Sequence, residues 1–115
     1  VSERTWQRAD FNFWRAKGSD TFCPVGPWIA TDIDPNNLEL EVRLNGKVVQ
    51  KANTSELIHG IPIIIKTISQ AITLLPGDLI FTGTPGTTKA MKPGDIVEVE
   101  LSGIGVLRSP VVAEK

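Results

Sequence analysis

Strict alternation of apolar and polar residues is clearest in the middle of the chain. Between positions 38 and 44 every second residue is leucine or valine, and the residues between them are charged. Such alternation places the apolar side chains on one face of a strand, and the Asn45-Gly46 pair that follows is a strong hairpin signal. The pattern predicts a hairpin that returns over 47–50, and a second hairpin is predicted from 96–101 and 105–111.

A second apolar run, Leu79–Phe81, follows a Pro-Gly-Asp turn and is succeeded by small, hydroxyl-bearing residues. Its aliphatic and aromatic side chains predict a buried strand. Beyond it, Gly83 and Gly86 allow close backbone approach, while Thr82 and Thr84 offer hydroxyls. This stretch is predicted to form the floor of a ligand-binding site. The alternative is an ordinary transition from a strand to a loop without a binding role. A further short strand is predicted over 28–31.

Helical spacing appears in two places. Near the start, Ser2 is a candidate cap for a short helix that would carry Trp6, Phe13 and Trp14 near one face. A segment rich in glycine and proline, 16–27, is predicted as a loop pinned to the core that presents Lys17 and Thr21. A longer helix is predicted from about Pro62 to Ile72, with an apolar face formed by Ile61, Ile64, Ile65, Ile68 and Ile72.

Length and composition bound the class of protein. The chain has 115 residues, 41% hydrophobic and 22% charged, with a formal charge of −1. This length suits one core, so residues 1–115 are interpreted as a single unit. The balanced charge argues against nucleic acid or an acidic membrane as partner, and no apolar block approaches the ~20 residues of a membrane span. A lone cysteine and the lack of a signal-like opening favour the cytoplasm.

Several residues could belong to a metal or catalytic site but are given structural roles. Paired carboxylates on one strand face could hold a hard cation, yet each Glu-x-Glu pair alternates with apolar residues and is expected to face water. His59 has no second histidine and is assigned a local hydrogen-bonding role. Cys23 precedes a proline and is expected to be a small buried thiol. The two carboxylate pairs are Glu39/Glu41 and Glu98/Glu100.

A series of ordered motifs resembles the carboxy-terminal part of the fumarylacetoacetate hydrolase family, in its bacterial branch of 2-oxo acid hydrolases, isomerases and decarboxylases. The resemblance runs from Val1 to about Val112. It implies an α+β fold, a β-rich mixed roll with a few short flanking helices. The motifs are Val-Ser-Glu-Arg-Thr-Trp-Gln, Lys-Gly-Ser-Asp-Thr-Phe-Cys-Pro-Val-Gly-Pro-Trp, Asn-Gly, Asn-Thr-Ser, Leu-Pro-Gly-Asp, Thr-Gly-Thr-Pro-Gly, Lys-Pro-Gly-Asp and Gly-Ile-Gly-Val-Leu.

The resemblance also assigns roles to individual residues. By motif position, Arg4 and Gln7 would meet the substrate, and their i, i+3 spacing would place them on the same side of a helix. Lys17 would lie beside the oxo group as a catalytic residue. Thr21 would place a hydroxyl close behind it, and Thr84 would contact the substrate carboxylate. The substrate implied is a small 2-oxo acid that undergoes C–C hydrolysis, decarboxylation or isomerisation.

The same resemblance implies Mg²⁺ or Mn²⁺, which would act as a Lewis acid on the 2-oxo carboxylate. Its ligands, and the catalytic histidine and glutamate of a lid, are expected upstream of Val1. The partners implied are therefore the missing amino-terminal part of the same domain and a second copy in a homodimer. A non-catalytic β-rich module for binding or assembly is the alternative, favoured by the missing metal ligands and opposed by the presence of Lys17, Thr21 and Thr84 together.

Overall fold

A four-stranded antiparallel sheet is the largest element of the computed structural model, which describes residues 1–113. The strands are β1 (Glu39–Leu44), β2 (Lys47–Asn53), β3 (Ile96–Leu101) and β4 (Gly105–Pro110), and the helices are α1 (Arg4–Ala9), α2 (Trp14–Gly18) and α3 (Ile61–Ser69). A 3-10 turn, Thr54–Glu56, completes the described elements. The spatial order of the sheet is β2-β1-β3-β4, so each predicted hairpin contributes one central and one edge strand.

Both hairpins are confirmed, and their sequence alternation divides the sheet into an apolar and a charged face. Strand β1 lies between β2 and β3, with Val42 opposite Val99 and the neighbouring Arg43 opposite Glu98. Because side chains alternate along a strand, this register puts the valines on one face and the charges on the other. A register shift next to Val42 marks a bulge in the β1–β2 pairing.

The turn between β1 and β2 is tied to the start of β3. Asn45 and Gly46 both have positive φ, 52° and 77°, as a two-residue hairpin turn requires. The Asn45 amide nitrogen donates to Asp95 at 2.9 Å, and its oxygen accepts the backbone N–H of Ile96 at 2.8 Å. A single side chain therefore joins the first hairpin to the second.

The two Pro-Gly-Asp turns have the same hydrogen-bond pattern. In each, the aspartate backbone N–H donates to the carbonyl three residues earlier, and the aspartate side chain accepts that residue's N–H. The glycines have positive φ, which is the conformation that the third position of this turn needs. Asp95 differs from Asp78 because it is 6% exposed and also bonded to Asn45.

The helices correct several boundaries predicted from sequence. Glu3, and not Ser2, caps α1, because its carboxylate accepts the N–H of Trp6 at 2.5 Å. The predicted 16–27 loop begins inside α2, which extends to Gly18. Helix α3 ends at Ser69, so Ile72 lies beyond it and is exposed, as is Ile65.

The strands predicted over 28–31 and Leu79–Phe81 are not formed among residues 1–113. Both segments are irregular, and Leu79 and Phe81 are 60% and 66% exposed. A strand is stabilised by ladder hydrogen bonds to a neighbour, and neither segment pairs with a strand of the described sheet, although the Trp28 ring lies against Gly105 of β4. The hydrophobic pattern indicated apolar side chains correctly but not their pairing.

The fold class nevertheless stands as predicted: an α+β fold with a four-stranded sheet and a few short helices. The apolar side chain fully buried within the described residues is Ala16, and many large apolar side chains are exposed. Within residues 1–113, no helix has the length and apolar character needed to cross a membrane.

Acid titration should reveal the Asp95 network. Hydrogen bonds from the Asn45 side chain and then the Lys92 N–H lower the pKa of Asp95 below its ordinary value. The carboxylate therefore stabilises the fold above the unfolded-state pKa, about 3.9, and this stability is lost as pH falls through the folded-state pKa. We expect Asp95→Asn to unfold at lower urea concentration near pH 7, with a shallower loss of stability between about pH 5 and 3 than the parent shows.

Asp78→Asn in the twin turn is the matched control, because Asp78 is exposed and has no asparagine partner. It should lower the urea midpoint near pH 7 less than Asp95→Asn does. An Asp95→Asn variant whose urea midpoint follows the parent at every pH would contradict the assignment.

Candidate functional site

The amino-terminal helix α1 presents Arg4 and Gln7 together. One turn apart, these residues lie on the same side of the helix, and the Arg4 guanidinium donates to the Gln7 side-chain oxygen. The Glu3 cap fixes the start of the helix, and the backbone N–H groups of Trp6 and Thr5 lower the pKa of its carboxyl. The prediction that Arg4 and Gln7 share one side is confirmed.

Helices α1 and α2 are fastened to each other by short contacts. The Glu3 N–H donates to the Ala16 carbonyl at 3.0 Å, and Ala16 is completely buried. Arg15 forms two hydrogen bonds to Asp10, at 2.9 and 2.7 Å, and lies 4.9 Å from the centre of the Trp6 ring. These contacts hold the residues of α2 at a fixed position relative to α1.

Lys17 and Thr21 lie at and after the end of α2. The Lys17 ammonium donates to the Ser2 hydroxyl at 2.7 Å, so Ser2 has a role that its reading as a helix cap missed. Thr21 has a φ of 67°, an unusual conformation for a β-branched residue, and is exposed. The next residue, Phe22, stacks on Trp6 with ring centres 6.3 Å apart. Thr21 is therefore placed beside the α1–α2 pair.

Thr84 lies in an exposed loop that has two side-chain anchors. The Gln50 amide on β2 donates to the Pro85 carbonyl at 2.7 Å. The Arg4 guanidinium on α1 donates to the Thr88 hydroxyl at 2.9 Å. The loop that follows Thr84 is thus attached to both the sheet and the first helix.

The glycines of this loop adopt left-handed backbone conformations. A side chain added at Gly83 or Gly86 would meet no described atom within 4 Å, so packing within residues 1–113 does not require a glycine at either position. Their φ values of 104° and 56° lie in the region that favours glycine. The two glycines shape the turn that exposes Thr84.

The predicted substrate residues fall into two groups that share one connection. Arg4, Gln7, Lys17 and Thr21 belong to the α1–α2 region, and Thr84 belongs to the loop that Arg4 contacts through Thr88. Sequence reasoning did not single out Thr88, Gln50 or a Lys17 partner. Their contacts join residues distant in the chain, which periodicity and local turn chemistry do not reveal.

The cationic side chains differ in whether a carboxylate pairs with them. Arg43 is surrounded by Glu41, Glu98 and Glu100, with nitrogen–oxygen distances of 2.6, 3.4 and 2.8 Å, and the hydrogen bonds that it donates to Glu100 and then Glu41 raise its pKa. Within residues 1–113, Arg4 and Lys17 contact only neutral oxygens and form no ion pair. Their positive charge is therefore uncompensated by a carboxylate of the described chain.

The carboxylate pairs do not form a metal centre. No group of three or more histidine, cysteine, aspartate or glutamate side chains in the described part of the chain could hold a metal ion. Three of the four glutamates considered are engaged by Arg43 on the charged face of the sheet. The side chains described within residues 1–113 do not fit a divalent cation.

Two other sequence predictions are wrong. Cys23 is exposed and not buried, and it lies in the bend that follows α2. His59 is also exposed, at the bend before α3, and its side chain forms no hydrogen bond within residues 1–113. Neither residue contributes to the site described above.

An α+β fold with a four-stranded sheet and a loop that joins sheet to helix corresponds to a known family. The model of the fumarylacetoacetate hydrolase carboxy-terminal domain matches residues 1–112. The chain belongs to the fumarylacetoacetate hydrolase family, as the sequence motifs predicted.

Several relatives show the range of activities in this family. A 5-carboxymethyl-2-hydroxymuconate delta-isomerase from Mycobacterium smegmatis superposes with a TM-score of 0.97 and is 49% identical, over 100% of this chain and 46% of its own. A mitochondrial oxaloacetate tautomerase from Rattus norvegicus is 40% identical over 97% of this chain and 39% of its own. A maleylpyruvate hydrolase from Sphingobium, solved with manganese and pyruvate, has a TM-score of 0.81 and 41% identity over 84% and 38%. The chain spans less than half the length of these relatives.

Removing a glutamate from the charged face should not alter metal binding. We expect Glu98→Gln in the full-length protein to bind Mn²⁺ with the parent's affinity in calorimetric titration, because Glu98 pairs with Arg43. Ser102→Ala, a change at a neutral residue just beyond the end of the same strand, is the control. A tenfold or greater loss of affinity, about 1.4 kcal/mol, in Glu98→Gln alone would identify Glu98 as a ligand.

Proposed function

We propose that this chain forms the substrate-facing part of an enzyme that hydrolyses, decarboxylates or isomerises small 2-oxo carboxylic acids. The observation that carries the proposal is the uncompensated charge of Arg4 and Lys17. In contrast to Arg15 and Arg43, these cations have only neutral partners in the described chain. Exposed cations of this kind can accept an anionic ligand without first breaking an ion pair.

The names of the relatives support the substrate class. Oxaloacetate and maleylpyruvate are 2-oxo acids, and a 2-hydroxymuconate is the enol form of one. All such compounds can form an enolate, with negative charge on the oxygen at carbon 2. A reaction of this class therefore needs a positive group beside that oxygen and a second group that fixes the distal carboxylate.

In this proposal, residues of this chain supply both the positive group and the group that fixes the distal carboxylate. Lys17 stabilises the developing enolate oxygen, and the hydrogen bond to Ser2 directs its ammonium group while leaving other N–H groups to donate. Arg4 and Gln7 bind the substrate from α1, and Thr21 supports the oxo end. Thr84 donates its hydroxyl to the substrate carboxylate at the other end.

The metal is assigned to residues outside this chain. One relative holds manganese, but the described residues contain no ligand set, so no step here is attributed to Mg²⁺ or Mn²⁺. We also propose that the metal ligands lie in an amino-terminal part of the same domain, because this chain covers less than half of the relatives' length. A homodimer and a cytoplasmic location are further parts of the proposal.

Replacement of Lys17 tests the central claim. We expect Lys17→Met in the full-length protein to lower kcat/KM for oxaloacetate tautomerisation or acylpyruvate hydrolysis by at least ~100-fold, or ~3 kcal/mol, through loss of a preorganised charge. The melting temperature should hardly change, because Lys17 is exposed.

Lys66→Met on α3 is the matched control, since Lys66 is an exposed lysine outside the site. It should retain parental kinetics. Unchanged kinetics for Lys17→Met would contradict its role, and absence of turnover of any 2-oxo acid by the parent would favour the binding-module alternative.

Thr84→Val tests the other end of the site. The change keeps the side-chain shape and removes the hydroxyl, so transition-state binding should weaken by ~1 to 3 kcal/mol. The loss should differ between oxaloacetate and an acylpyruvate, because the groups at that end differ. Thr82→Val is the control and should matter less. Equal small losses in both variants with both substrates would show that the hydroxyls serve only the turn.

A further inference from the structure

Thr88 makes a contact that no substrate role accounts for. Its hydroxyl accepts a hydrogen bond from the Arg4 guanidinium, across 84 residues of sequence. The other terminal nitrogen of Arg4 donates to Gln7 in the same helix. The guanidinium is thus held from two directions, one within α1 and one from the loop that carries Thr84.

The loop itself is restrained where it approaches Thr88. Gln50 on β2 holds the Pro85 carbonyl, so the backbone just after Thr84 is fixed to the sheet. Thr88 is β-branched, and such side chains have few rotamers, so its hydroxyl direction follows from the backbone. The bond to Arg4 then relates the position of α1 to the position of Thr84.

Exposure of the contact argues against a role in stability. Both Arg4 and Thr88 are exposed, and a hydrogen bond open to water contributes little to folding. The same bond can still restrict a long side chain to one orientation. An arginine with several rotatable bonds loses little stability when released but loses its fixed placement toward a ligand.

We propose that Thr88 is a positioning residue for Arg4 and thereby fixes the spacing between Arg4 and Thr84. This inference rests on the proposed function, in which both residues contact the 2-oxo acid. Thr88 does not touch the substrate; it holds the guanidinium in the orientation that receives it. The fixed distance between Arg4 and Thr84 then favours 2-oxo acids whose two anionic ends lie a matching distance apart.

The test uses three variants of the full-length protein. Thr88→Val keeps the shape and removes the acceptor, Thr88→Ser restores it, and Thr87→Val deletes the neighbouring exposed hydroxyl, which has no hydrogen-bond partner within residues 1–113. We expect KM to rise about tenfold in Thr88→Val with a smaller change in kcat, as suits the loss of one hydrogen bond to a charged group. Thr88→Ser should recover most of the loss, and Thr87→Val should match the parent.

A double-mutant cycle tests whether Thr88 acts through Arg4. Once Arg4→Gln has removed the guanidinium, adding Thr88→Val should cause no further rise in KM. A full additional loss in the double variant would overturn the proposal, as would parental KM in Thr88→Val or equal losses in Thr87→Val and Thr88→Val.

A readout without turnover separates this inference from the proposed function. Modification of Arg4 by phenylglyoxal, followed by peptide mass spectrometry in the absence of substrate, should be several-fold faster in Thr88→Val than in Thr87→Val. Faster modification with no activity on any 2-oxo acid would retain the restraint and overturn the proposed function. Equal modification rates would overturn the restraint even if the parent is an active enzyme.

Discussion

One guanidinium, that of Arg43, makes the charged face of the sheet possible. Three carboxylates from the two central strands lie around it, and without a cation they would repel each other across the β1–β3 pairing. The direct pairing of Arg43 with Glu98 depends on the register of those strands, and a slip of one residue would move every charge to the apolar face. The hairpin turn and its tie to Asp95 hold this register at the end of the strands.

The cationic side chains of the described chain differ in their hydrogen-bond partners and so in their roles. Arg15 and Arg43 are paired with carboxylates and belong to the framework. Arg4 and Lys17 are held by hydroxyl and amide oxygens, which orient a cation without neutralising it. In the proposed function, orientation by neutral acceptors leaves the charge of Arg4 and Lys17 available to an anionic substrate while their geometry is fixed.

Much of the sheet could be predicted from the sequence because its signals are local. Alternation and Asn45-Gly46 defined the first hairpin, and the same logic defined the second. The strand predicted at Leu79–Phe81 is not formed, because a strand also needs a neighbouring strand to pair with, and hydropathy does not reveal such a partner. In the site, helical spacing predicted the Arg4–Gln7 side, whereas the contacts of Arg4 with Thr88 and Lys17 with Ser2 depend on tertiary placement.

The long sequence separation of the Arg4–Thr88 contact has a consequence for the order of folding. Closing a loop of 84 residues carries an entropic cost that one exposed hydrogen bond does not offset. The contact can therefore form only after the hairpins and helices have brought its ends together, whereas each hairpin can form from neighbouring residues. On partial unfolding the order reverses, so the connection between α1 and the Thr84 loop should open at lower free energy than the sheet.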